Sequence, residues 1–181
     1  MDSLTFIYLH MDSIPICTGD MKMVKWLLDH GANPNSRCEW DCTPASYAMF
    51  RAPLDIVKYL FEKGADPAYG ELLQWAVIRT ESNSLEVVRD IVEKGAAIDE
   101  IKYAKHLESF NSRKPYGFGT PLHRAAEHGK LDIVMYLLEK GANPLKLDSK
   151  EKTPRFWAEA RGHAEVVRVL KIAEENHNQA A

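Results

Sequence analysis

The chain has 181 residues, 45% of them hydrophobic, which is enough for one cored domain and gives no expectation of a second. Its 23 basic and 26 acidic residues leave a formal charge of −3, so there is no electrostatic case for nucleic acid or for an anionic membrane. Both of those partners need clustered positive charge. No run of about eighteen apolar residues could span a bilayer, and the first residues lack the basic start and apolar core of a signal peptide. Cys17, Cys38 and Cys42 are an odd number in a chain without an Asn-x-Ser/Thr acceptor. They are expected to be thiols in a reducing compartment, which places the protein in the cytoplasm, the nucleus or both.

Residues 1–35 read as a worn pair of helices. Val24, Leu27 and Leu28 stripe a second helix that Gly31-Ala32-Asn33-Pro34 stops, while Pro15 breaks the first half of the unit. The apolar Phe6, Ile7, Tyr8 and Leu9 are read as a cap over the end of a stack, the alternative being the remnant of an array that continues upstream. Residues 36–68 form a second unit: Thr43-Pro44 opens a helix, Ile56, Val57, Leu60 and Phe61 stripe the next, and Gly64-Ala65-Asp66-Pro67 ends it. Residues 69–98 form a third, opened by the uncapped Glu71-Leu72-Leu73-Gln74, striped by Val87, Val88, Ile91 and Val92, and stopped by Gly95-Ala96.

Residues 99–119 are an insertion. Ile101, Ala104 and Leu107 recur at helical spacing, so a short helix is predicted over 100–110, followed by a turn in Pro115-Tyr116-Gly117-Phe118-Gly119. Tyr103, Phe110, Tyr116 and Phe118 would be costly to leave in water, so the insertion is expected to pack or to bury them on a partner.

Residues 120–147 carry the most complete unit. Thr120 caps, Pro121 occupies the first helical position, Ala125 and Ala126 give a thin face, and Gly129 ends the first helix. Ile133, Val134, Leu137 and Leu138 stripe the second, which Gly141 and Pro144 close. Thirty-three residues on, Thr153-Pro154 repeats Thr120-Pro121 and Gly162 repeats Gly129, so residues 148–173 form a last unit before a tail at 174–181 that is expected to fray.

With Thr-Pro-Leu-His at 120–123 and its helix pattern repeated along the chain, the sequence resembles the ankyrin-repeat family. The resemblance implies an all-α solenoid of about five helix-turn-helix repeats in one domain over 1–181, with degenerate ends and the long insertion between the third and fourth repeats. It implies that His123 is a structural histidine bonded to Thr120 and neighbouring backbone. It also implies that Ala45-Ser46, standing where the family has Leu-His, weakens the bonding between repeats there.

His123, Glu127 and His128 match neither zinc-protease helix. Cys38, Cys42 and His30 lack a fourth ligand for structural zinc. No phosphate loop or dinucleotide fingerprint occurs, so no cofactor, metal or catalytic residue is expected. The function expected is a non-catalytic, monomeric scaffold that binds a protein through the concave face of the stack and its hairpin fingers. The aromatic and arginine anchors would be Trp40, Phe50, Arg51, Tyr69, Ile78 and Arg79, continued by Tyr116, Phe118, Glu127, His128 and Arg161. A charged residue at Trp40 or Phe118 should then remove binding and leave the fold intact. Trp26, Tyr59, Phe61 and Tyr136 are read as packing. The alternative is a small-molecule binder or enzyme with residues 100–119 as a lid over the concave face between the third and fourth repeats, which a pocket under the lid with a converging His106, His123 or Glu127 would favour.

Overall fold

The computed structural model describes residues 19–37, 41–103, 111 and 118–180, and these are helical with no strand among them. The helices are α1 (Met21–Asp29), α2 (Pro44–Arg51), α3 (Leu54–Glu62), α4 (Leu72–Val77), α5 (Ser84–Glu93), α6 (Pro121–Glu127), α7 (Leu131–Glu139), α8 (Pro154–Ala160) and α9 (Ala164–Ala180). Their starts follow local chemistry. Asp20 accepts the amide of Met23 at 3.1 Å to cap α1, and Thr43 and Ser46 form a reciprocal capping box ahead of Pro44. No helix among the described residues is long and apolar enough to cross a membrane.

The short first helices α2, α4, α6 and α8 pack side by side as one layer, and α5, α7 and α9 pack as a second layer behind them. Small residues make the first layer possible: Ala48, Ala76, Ala125 and Ala158 are fully buried, so neighbouring helices meet with no long side chain between them. The second helix of each unit supplies the bulk. Ile56, Val57 and Leu60, then Val87, Val88 and Ile91, then Ile133, Val134 and Leu137 lose all contact with water, and each such side chain contributes about 1.5–3 kcal/mol of transfer free energy. Helix α4 packs directly on α6, so the layer of first helices is continuous across the insertion.

One side chain per unit ties each pair to the next, and the chemistry differs each time. The Ser46 hydroxyl accepts the amide of Thr43 at 2.9 Å and donates to the Gly70 carbonyl at 2.5 Å. Gln74 Nε2 donates to the carbonyls of Gly119 at 3.0 Å and Glu100 at 3.1 Å. The Thr120 amide donates to His123 Nδ1 at 3.0 Å, so Nε2 carries the proton and donates to the Lys152 carbonyl at 3.0 Å. Gly70, Gly119 and Lys152 each immediately precede the cap residue of the next first helix. The family bridge expected to weaken at Ser46 is therefore kept, because Gly70 brings the next backbone within reach of the shorter side chain. A Cβ there would stand 2.3 Å from Ser46 Oγ.

Three expectations change. The tail is helical: α9 continues to Ala180, held in part by Arg155 Nε donating to Glu174 Oε2 at 2.8 Å. Trp26 is 55% exposed and stacks on His30 with ring centroids 4.2 Å apart, so it covers its own helix end and is not core. Glu100 to Tyr103 form no helix, and Tyr103 takes the left-handed conformation at φ 62°; the remainder of the helix predicted over 100–110 lies outside the described residues. Pro15, the segment from Phe6 to Leu9, Cys17 and Cys38 also lie outside them.

Candidate partner-binding face

The solvent side of the first-helix layer is a continuous wall whose character changes along the stack. Tyr47, Trp75, Arg124 and Trp157 each immediately precede a buried alanine, so they occupy one row across α2, α4, α6 and α8, and all four are half-buried. Phe50, Ile78 and Glu127 form the next row. At the α2–α4 end the wall is aromatic: Phe50 stands edge-on to Tyr47 at 6.5 Å and to Trp75 at 5.9 Å, and the Lys102 ammonium lies 4.4 Å from the Trp75 ring.

At the α6–α8 end the wall is charged. Glu127 accepts from Arg124 Nη1 at 2.9 Å and from Arg161 Nη2 at 2.8 Å, while its backbone carbonyl lies 3.0 Å from His163 Nε2. Burial opposes ionisation of Glu127, but the Arg161 hydrogen bond and the Arg124 charge hold its carboxyl below the usual range. His128 is held below the usual imidazole value by burial and then by Arg124, Lys130 and Arg161, so it stands neutral among cations at pH 7.

Residues 14–102 and 73–180 each match the family described as ankyrin repeats in three copies, which together take in most of the chain. The chain belongs to the ankyrin-repeat family. Among its relatives are alpha-latrocrustotoxin-Lt1a of Latrodectus tredecimguttatus, 31% identical over 68% of this chain and 8% of that protein, and ankyrin repeat protein nuc-2 of Neurospora crassa, 29% identical over 87% of this chain and 14% of that one. Palmitoyltransferase ZDHHC13 of Mus musculus is 32% identical over 58% of this chain and 14% of its own length. The chain thus spans a small part of these relatives.

Within the ankyrin stack the anticipated contact residues fall into three groups. Phe50 and Ile78 are half-buried in the aromatic part of the wall, Arg51 is exposed beside Phe50, and Glu127, His128 and Arg161 meet at the charged part. Tyr69 is exposed in the loop after α3 under the Arg37 guanidinium, 4.6 Å from its ring. Trp40 and Tyr116 lie outside the described residues.

Arg79 and Phe118 are not on the surface. Arg79 is 1% exposed and donates to the carbonyls of Ala48, Met49 and Ala52 and to Asn83 Oδ1. Phe118 is buried against Tyr103, ring centroids 5.1 Å apart. Both are internal because each satisfies a structural need, a bare helix end in one case and the root of the insertion in the other. Tyr47, Trp75 and Arg124 were missed as wall residues. Their common place before the buried alanine was the available signal.

His123 is 2% exposed with both ring nitrogens engaged, and burial holds it below its ordinary value. Cys42 is a half-buried thiol, and no group of three His, Cys, Asp or Glu side chains among the described residues is placed to hold a metal ion.

Proposed function

We propose that this ankyrin-repeat chain is a non-catalytic module that binds a protein partner across the first-helix wall. The single observation behind this reading is the graded wall itself, in which Tyr47, Phe50 and Trp75 lead into Arg124, Glu127, His128 and Arg161 without a break between repeats. Aromatic and arginine side chains held half-buried on a rigid layer supply contact area at little further entropic cost, which is how binding hot spots are built. The partner is taken to meet a monomer, in the cytoplasm or nucleus.

The reading with residues 100–119 as a lid over a small molecule has less support. His106 lies outside the described residues, and His123 and Glu127 already hold the stack and the two arginines.

The test compares capture from lysate of the source cells by the intact chain and by Arg51→Glu/His128→Ser/Arg161→Glu, all at exposed positions. One partner retained by the first and lost by the second, with helicity and melting unchanged, is the expected result. An identical set recovered by both chains would move the interface off this wall, and no protein recovered by either would count against the module.

A further inference from the structure

The charged part of the wall carries more positive charge than its own carboxylates balance. Glu127 accepts from Arg124 Nη1 through Oε2 at 2.9 Å and from Arg161 Nη2 through Oε1 at 2.8 Å, so one carboxylate serves two guanidiniums. Lys130, in the turn after α6, donates to the neutral carbonyl of Arg79 at 3.2 Å. The acids of the adjoining elements are engaged elsewhere. Asp132 takes the amide of Ile133 at 2.9 Å, Glu159 and Glu174 both accept from Arg155 at 2.8 Å, and the Glu81 charge acts on the Arg79 guanidinium. Three cations, Arg124, Lys130 and Arg161, thus surround the single carboxylate of Glu127.

His128 registers that excess. After partial burial of the ring, the charges of Arg124, Lys130 and Arg161 lower its value, with Glu127 alone opposing them. His163, the other titratable group beside Glu127, faces its backbone carbonyl at 3.0 Å. A guanidinium has five N–H donors in a planar fork. Arg124 gives Nη1 and Arg161 gives Nη2 to Glu127, and the Arg161 side chain is 57% exposed, so its fork keeps an edge open to solvent.

We propose that Arg161, backed by Arg124 and Lys130, seats an aspartate or glutamate side chain of the protein partner. The incoming carboxylate takes the open edge of the Arg161 fork and gives the three cations a second counter-charge. Of the anions a protein presents, a carboxylate needs no modification and matches the planar edge of a guanidinium. Its charge also makes the His128 ring easier to protonate, so binding takes up protons and tightens as pH falls. This rests on the interaction-module reading and adds the chemistry of one partner residue to it.

The test titrates N-acetyl-glutamate methylamide into the intact chain at pH 7.5 and constant ionic strength, with N-acetyl-glutamine methylamide as the uncharged control. The Nε–H groups of Arg124 and Arg161 and the His128 ring are followed by nitrogen-15 NMR. The glutamate probe should shift all three saturably and the glutamine probe none. Arg161→Gln should bind the glutamate probe roughly tenfold more weakly, the equivalent of one charge-assisted hydrogen bond. Lys58→Gln, which removes the same charge from the exposed side of α3, should bind it as wild type does. Affinity should rise roughly threefold between about pH 7.5 and 6, and His128→Asn should lose that rise. Equal response to both probes, equal affinity in Arg161→Gln and Lys58→Gln, a flat pH profile, or saturation by N-acetyl-phosphoserine methylamide alone would overturn the proposal. Capture from lysate separates it from the wider reading. A partner held equally by wild type and Arg161→Gln removes the acidic seat and leaves the module standing, whereas a chain that captures nothing counts against the module whatever the probes do.

Discussion

Arg79 Nη2 donates to the carbonyl of Ala52 at 2.6 Å, joining the turn after α4 to the end of α2. Nη1 reaches the carbonyls of Ala48 and Met49, both at 3.2 Å, and Nε reaches Asn83 Oδ1 at 2.7 Å. A helix C-terminus leaves carbonyls without partners and carries partial negative charge, so one guanidinium satisfies several of them and finds its compensation in the helix end. Replacing Arg79 by Met keeps much of the volume and strips these donors. We expect a loss of about 3 kcal/mol, measured by urea unfolding, with Arg79→Lys in between. Unchanged stability in Arg79→Met would show that water replaces the guanidinium at no cost.

Gly70 and Gly141 both have positive φ, 70° and 89°, but differ in surroundings. A Cβ on Gly70 would stand 2.3 Å from Ser46 Oγ and 2.5 Å from Thr43 Oγ1, whereas one on Gly141 meets nothing within 4 Å. Gly141→Ala should cost about 1 kcal/mol, the backbone penalty alone. Gly70→Ala should cost roughly 3 kcal/mol, since the capping box and the Ser46 bridge are disturbed as well. Equal melting temperatures for the two variants would mean that the second unit adjusts freely.

The stack was legible because its signals are local. Thr-Pro openings, glycine stops and apolar stripes lie within one unit, and Thr43, Thr120, Ile56 and Ile133 stand where that pattern puts them. Arg79 was misplaced because what it satisfies is the end of α2, some thirty residues earlier in the chain, and nothing adjacent to Arg79 records that demand. Phe118 was misplaced for a related reason: an aromatic residue in a long insertion looks available until the chain on the other side, Tyr103, is known to return beside it. Ser46 looked like a weakened position because its bridge depends on a glycine in the following unit.

The insertion has a closed root. The Lys102 amide donates to the Gly119 carbonyl at 3.2 Å, Phe118 and Ser149 exchange hydrogen bonds at 2.8 and 2.9 Å, and the Tyr103 and Phe118 rings pack on each other. Tyr103 and Phe118, on either side of residues 104–117, therefore lie side by side. Replacing residues 104–117 by a short Gly-Ser linker should leave the melting temperature equal or about 2 °C higher, because a shorter loop loses less entropy on closure. Phe118→Ala should cost about 3 kcal/mol. A large loss on replacing the loop would show that residues 104–117 hold the fold.

Two buried titratable groups pull the stability in opposite directions with pH. Glu71 is raised from 4.5 to about 7, so the folded chain keeps a proton that the unfolded chain has lost, and stability falls as pH rises across that interval. His123 is lowered from 6.5, so below about that pH the unfolded chain takes up a proton that the folded chain resists, and stability falls as pH falls. Between about pH 5 and 7 the two slopes oppose each other in the wild type. Glu71→Gln keeps an acceptor for the Tyr103 amide and removes the first term. It should be more stable than wild type at pH 8, should lose that advantage near pH 4.5, and should fall more steeply on acidification. His123→Gln reproduces the side chain that makes the bridge at Gln74, so it should cost little at pH 8 and lose the acid slope instead. Urea unfolding of the three proteins from about pH 4.5 to 8 reads both terms. Parallel curves for wild type and Glu71→Gln would mean that Glu71 is ionised throughout, with Lys102 and the Tyr103 amide outweighing burial.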